Sequence, residues 1–208
     1  MVNGVTTAAN SRPPPTRPTT GSQPRGDRTR RRIIEETVRC VLEEGFAAAS
    51  ANHVAERAGV TWGVIQYHFG SRDGLFSAVV EAGFAELTAA MADLSLPAGP
   101  TKDRVRALVD TAWVAFSSPT SRASLEILIV TRPGRDPETE RQLAGMARGL
   151  RRLGRSLGVP DSEALGDLIW AFLRGLVMER MVVEGPFDSE RQRSLLIDVI
   201  ADHVERAA

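Results

Sequence analysis

Residues 50–76 read SANHVAERAGVTWGVIQYHFGSRDGLF, and the punctuation of this stretch decides the fold. Ser50 is a good N-cap, and Ala51, Val54, Ala55 and Ala58 follow at the i, i+3, i+4, i+7 spacing of a helix with one apolar face. Gly59 supplies the left-handed residue that ends such a helix. Thr61 caps a second short helix running to about His68, Gly70 breaks it, and Ser71 caps a longer amphipathic helix carrying Leu75, Phe76, Val79 and Val80. Two short helices joined by a glycine-containing turn predict a helix-turn-helix.

In that arrangement Val64 and Ile65 face Val54 and Ala58, which leaves Trp62, Gly63, Gln66 and Tyr67 toward the outside. The second helix of such a motif lies in the major groove with its first turn against base edges, while helix N-termini and nearby side chains fix the phosphates. Gln66 and Asn52 carry amides suited to bidentate pairing with adenine, worth on the order of 1–3 kcal/mol of discrimination. Trp62 lies outside the apolar stripe and reads as an exposed aromatic. His53 reads as surface, and Cys40 as a buried thiol on an apolar helix face.

Upstream, Ile34, Val38, Val41, Leu42 and Gly45 space a first helix from about Asp27, with Arg28, Arg30, Arg31 and Arg32 crowding its opening turn. Cations there oppose the helix dipole by a few tenths of a kcal/mol each, so the cluster predicts an outside anion such as phosphate, or else a solvated basic face. Residues 1–26, with Pro13, Pro14, Pro15, Pro18 and Pro24 among small polar residues, read as a disordered basic tail carrying Arg12, Arg17 and Arg25. The whole chain of 208 residues has 26 basic and 26 acidic side chains. Its basic excess lies at the N-terminal end, where residues 1–80 hold ten Arg against seven Asp or Glu.

Downstream the pattern stays helical, and the expected fold is all-α: a helix-turn-helix domain over 27–95, then a helical ligand-binding and dimerisation domain over 101–208, separated by Leu96-Pro97-Ala98-Gly99-Pro100. Later breaks fall at Ser118-Pro119, at Arg132-Pro133-Gly134 with a cap at Asp136 and Pro137, at Gly158-Val159-Pro160-Asp161 and at Gly185-Pro186. Among the bulky residues that must pack there, Trp113, Phe116, Trp170 and Met178 are the candidates for lining a ligand pocket, since aromatic and Met side chains suit adaptable apolar sites. Arg174, Glu126 and Arg180 read as surface or interface groups before ligand groups. The helix from Glu163 to Glu184 is apolar nearly all round, so it is expected to face its own domain and a partner, with Gly166, Ala171 and Gly175 allowing close approach. The last helix opens on the capping-box spacing Ser189-Glu190-Arg191-Gln192 and adds Leu195, Val199 and Ile200 to a two-fold four-helix interface.

One cysteine excludes an internal disulfide and a cysteine zinc site, and a reducing, cytoplasmic setting fits. No run of about 18 apolar residues occurs, so neither a membrane span nor a secretory leader is expected. Three scattered histidines give no His-Glu-x-x-His or Glu-x-x-His pair, and there is no serine-nucleophile motif, so no enzyme activity, metal or cofactor is expected.

The combination Gly45-Phe46, Val54-Ala55, Ala58-Gly59-Val60-Thr61, Gly63, Tyr67-His68-Phe69 and Ser71-Arg72-Asp73-Gly74-Leu75 resembles the DNA-binding domain of the TetR/AcrR family of bacterial regulators, over about Arg28 to Val80. The resemblance implies that Ser50, Thr61, Tyr67, His68 and Arg72 approach backbone phosphates and that Asn52, Trp62, Gly63 and Gln66 lie where bases are read. It also implies a homodimer on double-stranded operator DNA with an unidentified small-molecule effector. The expected activity is transcriptional regulation by a repressor that leaves a palindromic operator when ligand binds, with activation as the alternative and an interaction bundle or enzyme as the other classes. This chain departs from the family at Gln66, usually Tyr, and at Arg72, usually Lys.

Overall fold

The computed structural model describes residues 23–135, 140, 144, 155, 161–183 and 185–207. Among them the chain forms α1 (Gln23–Glu44), α2 (Ala51–Arg57), α3 (Trp62–Phe69), α4 (Arg72–Ala92), α5 (Thr101–Phe116), α6 (Pro119–Val130), a 3-10 turn at Arg132–Gly134, α7 (Ser162–Val182) and α8 (Glu190–Ala207), with no strand. The all-α expectation holds. Expectations for most of the tail, for Asp136 and Pro137, and for Gly158 to Pro160 lie outside the described residues.

The α2–α3 joint follows from local chemistry. Ser50 Oγ accepts the His53 amide at 3.2 Å, closing the first turn of α2. At its other end the Gly59 N–H reaches the Glu56 carbonyl at 3.0 Å and the Val60 N–H reaches the Ala55 carbonyl at 2.9 Å, a paired closure that needs the φ of +61° that Gly59 adopts. Ser71 Oγ accepts from Gly74 N–H at 3.0 Å to start α4.

Two apolar cores result. The first joins Ile33, Val41, Val54, Ala58, Ile65, Leu75 and Val79 from α1–α4 with Ala123 and Ile127 of α6. The second joins Leu87 and Met91 of α4, Val105, Leu108 and Val109 of α5, Leu173 and Val177 of α7, and Ile197 and Ile200 of α8. Each full burial of such a side chain contributes roughly 1.5–3 kcal/mol. Phe84 touches both cores, so α4 contributes to each of them. α4 is long and apolar enough to cross a membrane by length and composition, contrary to the reading by consecutive apolar residues. Its apolar side chains instead link the two cores. Close packing of α4 on α6 depends on Gly83, where a Cβ would stand 2.5 Å from Ser124 Oγ.

Three local expectations are corrected. α1 begins at Gln23, because Pro24 falls in the first turn, where its fixed φ suits a helix and its missing N–H costs nothing. Arg28 to Arg32 therefore sit beyond the opening turn, and the dipole argument for an anion there lapses. The start of α8 is capped by Asp188 Oδ1, which accepts from Glu190 N–H at 2.9 Å, while Ser189 Oγ accepts from Arg193 Nε at 3.3 Å. Ile200 faces its own core at 1% exposure and adds nothing to an outer face.

Candidate nucleic-acid interface

α3 is anchored by one fully buried side chain, Ile65, with Val64 and Phe69 packing partly against the same core. Trp62, Gly63, Gln66 and Tyr67 face outward. Tyr67 is 85% exposed and Trp62 38% exposed, large fractions for side chains that usually bury their rings. Gly63 and Gln66 are also exposed, as is Asn52 in the first turn of α2. Thr61 occupies the N-cap of α3 in extended conformation, but its hydroxyl makes no capping bond. Ser50 and Thr61 thus start the two short helices, one hydroxyl accepting at its own cap and the other not committed there. His68 is half-buried, edge-on to the Tyr67 ring at 5.0 Å and tilted against Phe69 at 6.0 Å. Arg30 of α1 stacks over Phe69 at 5.2 Å, bringing one of the α1 arginines beside α3.

Arg72, expected at a phosphate, makes contacts within the chain itself. Its Nε donates to the Ala49 carbonyl and its Nη2 to the Phe46 carbonyl, both at 3.0 Å. The guanidinium also lies 4.8 Å from the Phe46 ring centre and 4.6 Å from that of Phe76. A planar fork that stacks and donates at once clasps the connection between α1 and α2, and two of its donor directions are turned inward. The same connection is held from α6, where Glu126 Oε1 accepts the Phe46 N–H at 2.9 Å. Glu126 is therefore neither surface nor interface, but a structural group for the helix-turn-helix.

His53 does not stand alone on the surface. Its Nε2 lies 2.8 Å from Glu44 Oε2, and Arg57 pairs with both Glu44 and Glu43. The hydrogen bond from His53, reinforced by Arg57, holds the Glu44 carboxyl below its ordinary value. Cys40 is buried in the first core, and burial followed by the nearby Glu44 charge pushes its thiol up. Cys40, Glu44 and His53 offer donor atoms within 4.8 Å of one another, a grouping that three separate sequence positions did not suggest. The ion pairs of Glu44 account for that grouping without an ion.

A cavity of about 410 Å³ opens between α4, α6 and α7. Phe116 and Trp170, whose rings are 4.4 Å apart, line it as expected. Trp113 is elsewhere, 6.4 Å from Phe187 and under Arg193 at 5.4 Å, on the α5 face toward α8. Met178 is half-buried and not among the lining residues. Phe84, Leu125, Leu128, Arg132 and Arg135 are among the other lining residues and were not foreseen as such; their signal is tertiary, since they come from separate elements, while Arg174, read first as a surface or interface group and second as a ligand group, lines the cavity as well.

The sequence of residues 33–79 matches the family model described as bacterial regulatory proteins, tetR family. Residues 33–79 are a TetR-family DNA-binding domain. The chain is 26% identical over 193 residues to the HTH-type transcriptional regulator BetI of Stenotrophomonas maltophilia, covering 86% of this chain and 94% of the relative. The structure resembles the TetR family transcriptional regulator PfmR of Thermus thermophilus with a TM-score of 0.63 at 21% identity, over 82% of this chain and 97% of the other. It also resembles the multidrug binding protein EbrR complexed with imidazole, with a TM-score of 0.53 at 26% identity, over 82% and 93% of the two chains. With this domain the chain is a DNA-binding transcriptional regulator and not an enzyme.

Proposed function

We propose that this TetR-family regulator is a homodimeric repressor that releases a palindromic operator when a small molecule occupies the cavity between α4, α6 and α7. The observation that carries the reading is the sharing of elements: Gly83, Phe84 and Leu87 of α4 and Ser124, Leu125 and Leu128 of α6 line the cavity, while other residues of α4 and α6 belong to the first core. A ligand that fits one arrangement of these helices better than another shifts the helix-turn-helix by that difference in affinity. Ser50, Thr61, Tyr67 and His68 are assigned to phosphates, and Asn52, Trp62, Gly63 and Gln66 to base edges. The protein then acts where its operator is, in the cytoplasm.

The dimer reading rests on a stripe of exposed residues on α7 and α8. Leu168 and Val182 on α7, and Leu195 and Val199 on α8, are 47%, 77%, 65% and 53% exposed in the single chain. Ala171 and Gly175 lie between the α7 pair at helical spacing, and a Cβ at Gly175 would meet nothing within 4 Å. Two copies packed by this stripe would set two α3 helices against half-sites about one DNA turn, roughly 34–36 Å, apart or a multiple of it.

The test is binding of the purified protein to the DNA immediately upstream of its own gene, followed across salt concentrations. Salt-sensitive binding to a two-fold symmetric site, lost in Tyr67→Ala combined with Gln66→Ala while the fold and dimer persist, is expected. Absence of specific binding to any symmetric site in that region ends the reading.

A further inference from the structure

The cavity between α4, α6 and α7 has an uneven chemistry. Its depth is apolar and aromatic, built by Phe84, Phe116 and Trp170 together with leucines of α4 and α6. Three arginines, Arg132, Arg135 and Arg174, also line it, and no Asp or Glu does so among the described residues. Arg135 is held in place by donating to the Leu128 carbonyl and by pairing with Glu140 at 2.9 Å. Arg132, in the 3-10 turn after α6, and Arg174, on α7, have no carboxylate partner among the described residues.

Arg132 and Arg174 are exposed and Arg135 is half-buried, so they are hydrated without a ligand; an anion whose body lies against the apolar walls would meet all three with less water between the charges, where Coulomb terms are larger. Guanidinium forks from a turn and a helix also match the planar geometry of a carboxylate, or of another oxyanion, in bidentate fashion. Ser121 and Ser124 do not compete for that head group. The Ser121 hydroxyl donates to the Ala115 carbonyl at 2.9 Å, and that of Ser124 is committed to the carbonyls of Val79 and Thr120 at 3.0 and 2.7 Å.

We infer that the effector of this protein is an amphipathic organic anion, whose apolar body lies against Phe116 and Trp170 and whose carboxylate or equivalent oxyanion is received by Arg132 and Arg174 beside Arg135. This inference rests on the effector-cavity reading but not on the repressor reading. It distinguishes the site from one for a lipophilic cation, which the same aromatic walls would accept if the arginines were absent. Arg135 is a positioning residue, because its guanidinium spends donors on Leu128 and Glu140.

The test uses the intact protein with Trp62→Phe and Trp113→Phe, so that tryptophan emission reports Trp170 alone. Decanoate, decanamide and decyltrimethylammonium are titrated in turn, with the thermal melt of each protein recorded beside them. Saturable change with decanoate at an affinity at least tenfold above the amide is expected, with no binding of the cation. Arg132→Gln with Arg174→Gln should remove that preference while the melt is unchanged, and Arg132→Lys with Arg174→Lys should restore part of it. Equal binding of acid and amide, preference for the cation, no saturable signal with any of the three, or an acid preference that survives the double Gln change would overturn the inference. Operator binding is measured separately, with and without decanoate, on the protein that keeps Trp62 and Trp113. An acid preference at Trp170 without operator release upholds the ligand class and overturns the repressor reading, so the two fail distinguishably.

Discussion

Substituting Arg72 separates two roles that the family resemblance and the geometry assign differently. As a phosphate ligand its loss would weaken DNA binding and lower the slope of log K against log salt by about one, with the fold untouched. As a clasp its loss removes two hydrogen bonds from a charged donor, to Phe46 and Ala49, and two ring contacts. Hydrogen bonds to charged groups contribute about 1.5–3 kcal/mol each when measured singly, and exposed cation–π contacts about 0.5–1. These terms are not additive, and Arg72 is half-buried, so water recovers part of the loss. About 2–4 kcal/mol is the reasonable net for Arg72→Ala. For a chain of this size each kcal/mol moves the melting midpoint by roughly 2–4 °C, so a fall on the order of 5–15 °C is expected by calorimetry. Arg72→Lys should fall between, because an ammonium lacks the fork that reaches both carbonyls while stacking. The DNA-binding salt slope, measured below the new midpoint, should be unchanged. A midpoint within ~1 °C of the parent together with a slope reduced by about one would refute the clasp and restore the phosphate role.

Leu195→Glu with Val199→Glu should convert a dimer to a monomer in light scattering, because a like-charged patch replaces the apolar stripe on both copies; a dimer that persists locates the interface elsewhere. For Glu44 the sign runs with a depressed carboxyl: its contribution is present above the ordinary carboxyl value of 4.5 and is lost as pH falls through its lower folded value. Glu44→Gln should therefore flatten the decline of stability on the acid side of that value, read from denaturant midpoints at successive pH. Cys40 should resist iodoacetamide in the folded protein and react fully in denaturant, since burial both blocks the sulfur and raises its pKa; rapid native labelling would show that α1 and α2 part readily.

The helix-turn-helix was legible because its determinants are local. Ser50, Gly59, Thr61, Gly70 and Ser71 act through the backbone within a few residues of themselves, and the structure closes α2 and opens α4 at those positions. Legibility failed where a side chain's partner is remote in sequence. Arg72 carries the same cation whether it faces a phosphate or the carbonyl of Phe46, 26 residues earlier, and only packing decides between them. Trp113 and Trp170 are equally aromatic, yet one packs against Phe187 and the other against Phe116. Arg132-Pro133-Gly134 reads as a turn, and it is one, but nothing in that tripeptide tells that the turn brings Arg132 to the cavity that Arg174 also lines.

Glu126 is where the two halves of the molecule meet energetically. It neighbours Leu125 and Leu128, which wall the cavity, and its carboxylate holds the Phe46 N–H of the connection that leads into α2. Useful allosteric coupling amounts to about 1–3 kcal/mol. A charge-assisted hydrogen bond of this kind is worth about 1.5–3 kcal/mol, so making it in one state and losing it in the other supplies the whole of that coupling. Glu126→Ala should then leave ligand affinity at the cavity within about threefold, because the side chain does not line it, while shrinking the ligand-induced loss of operator affinity by about tenfold. Ligand and operator binding measured alone and together on the same variant give the coupling directly. If the coupling of Glu126→Ala equals that of the parent, the signal does not pass through the Phe46 connection, and the shared helix α4, with Phe84 touching both cores, becomes the route to examine.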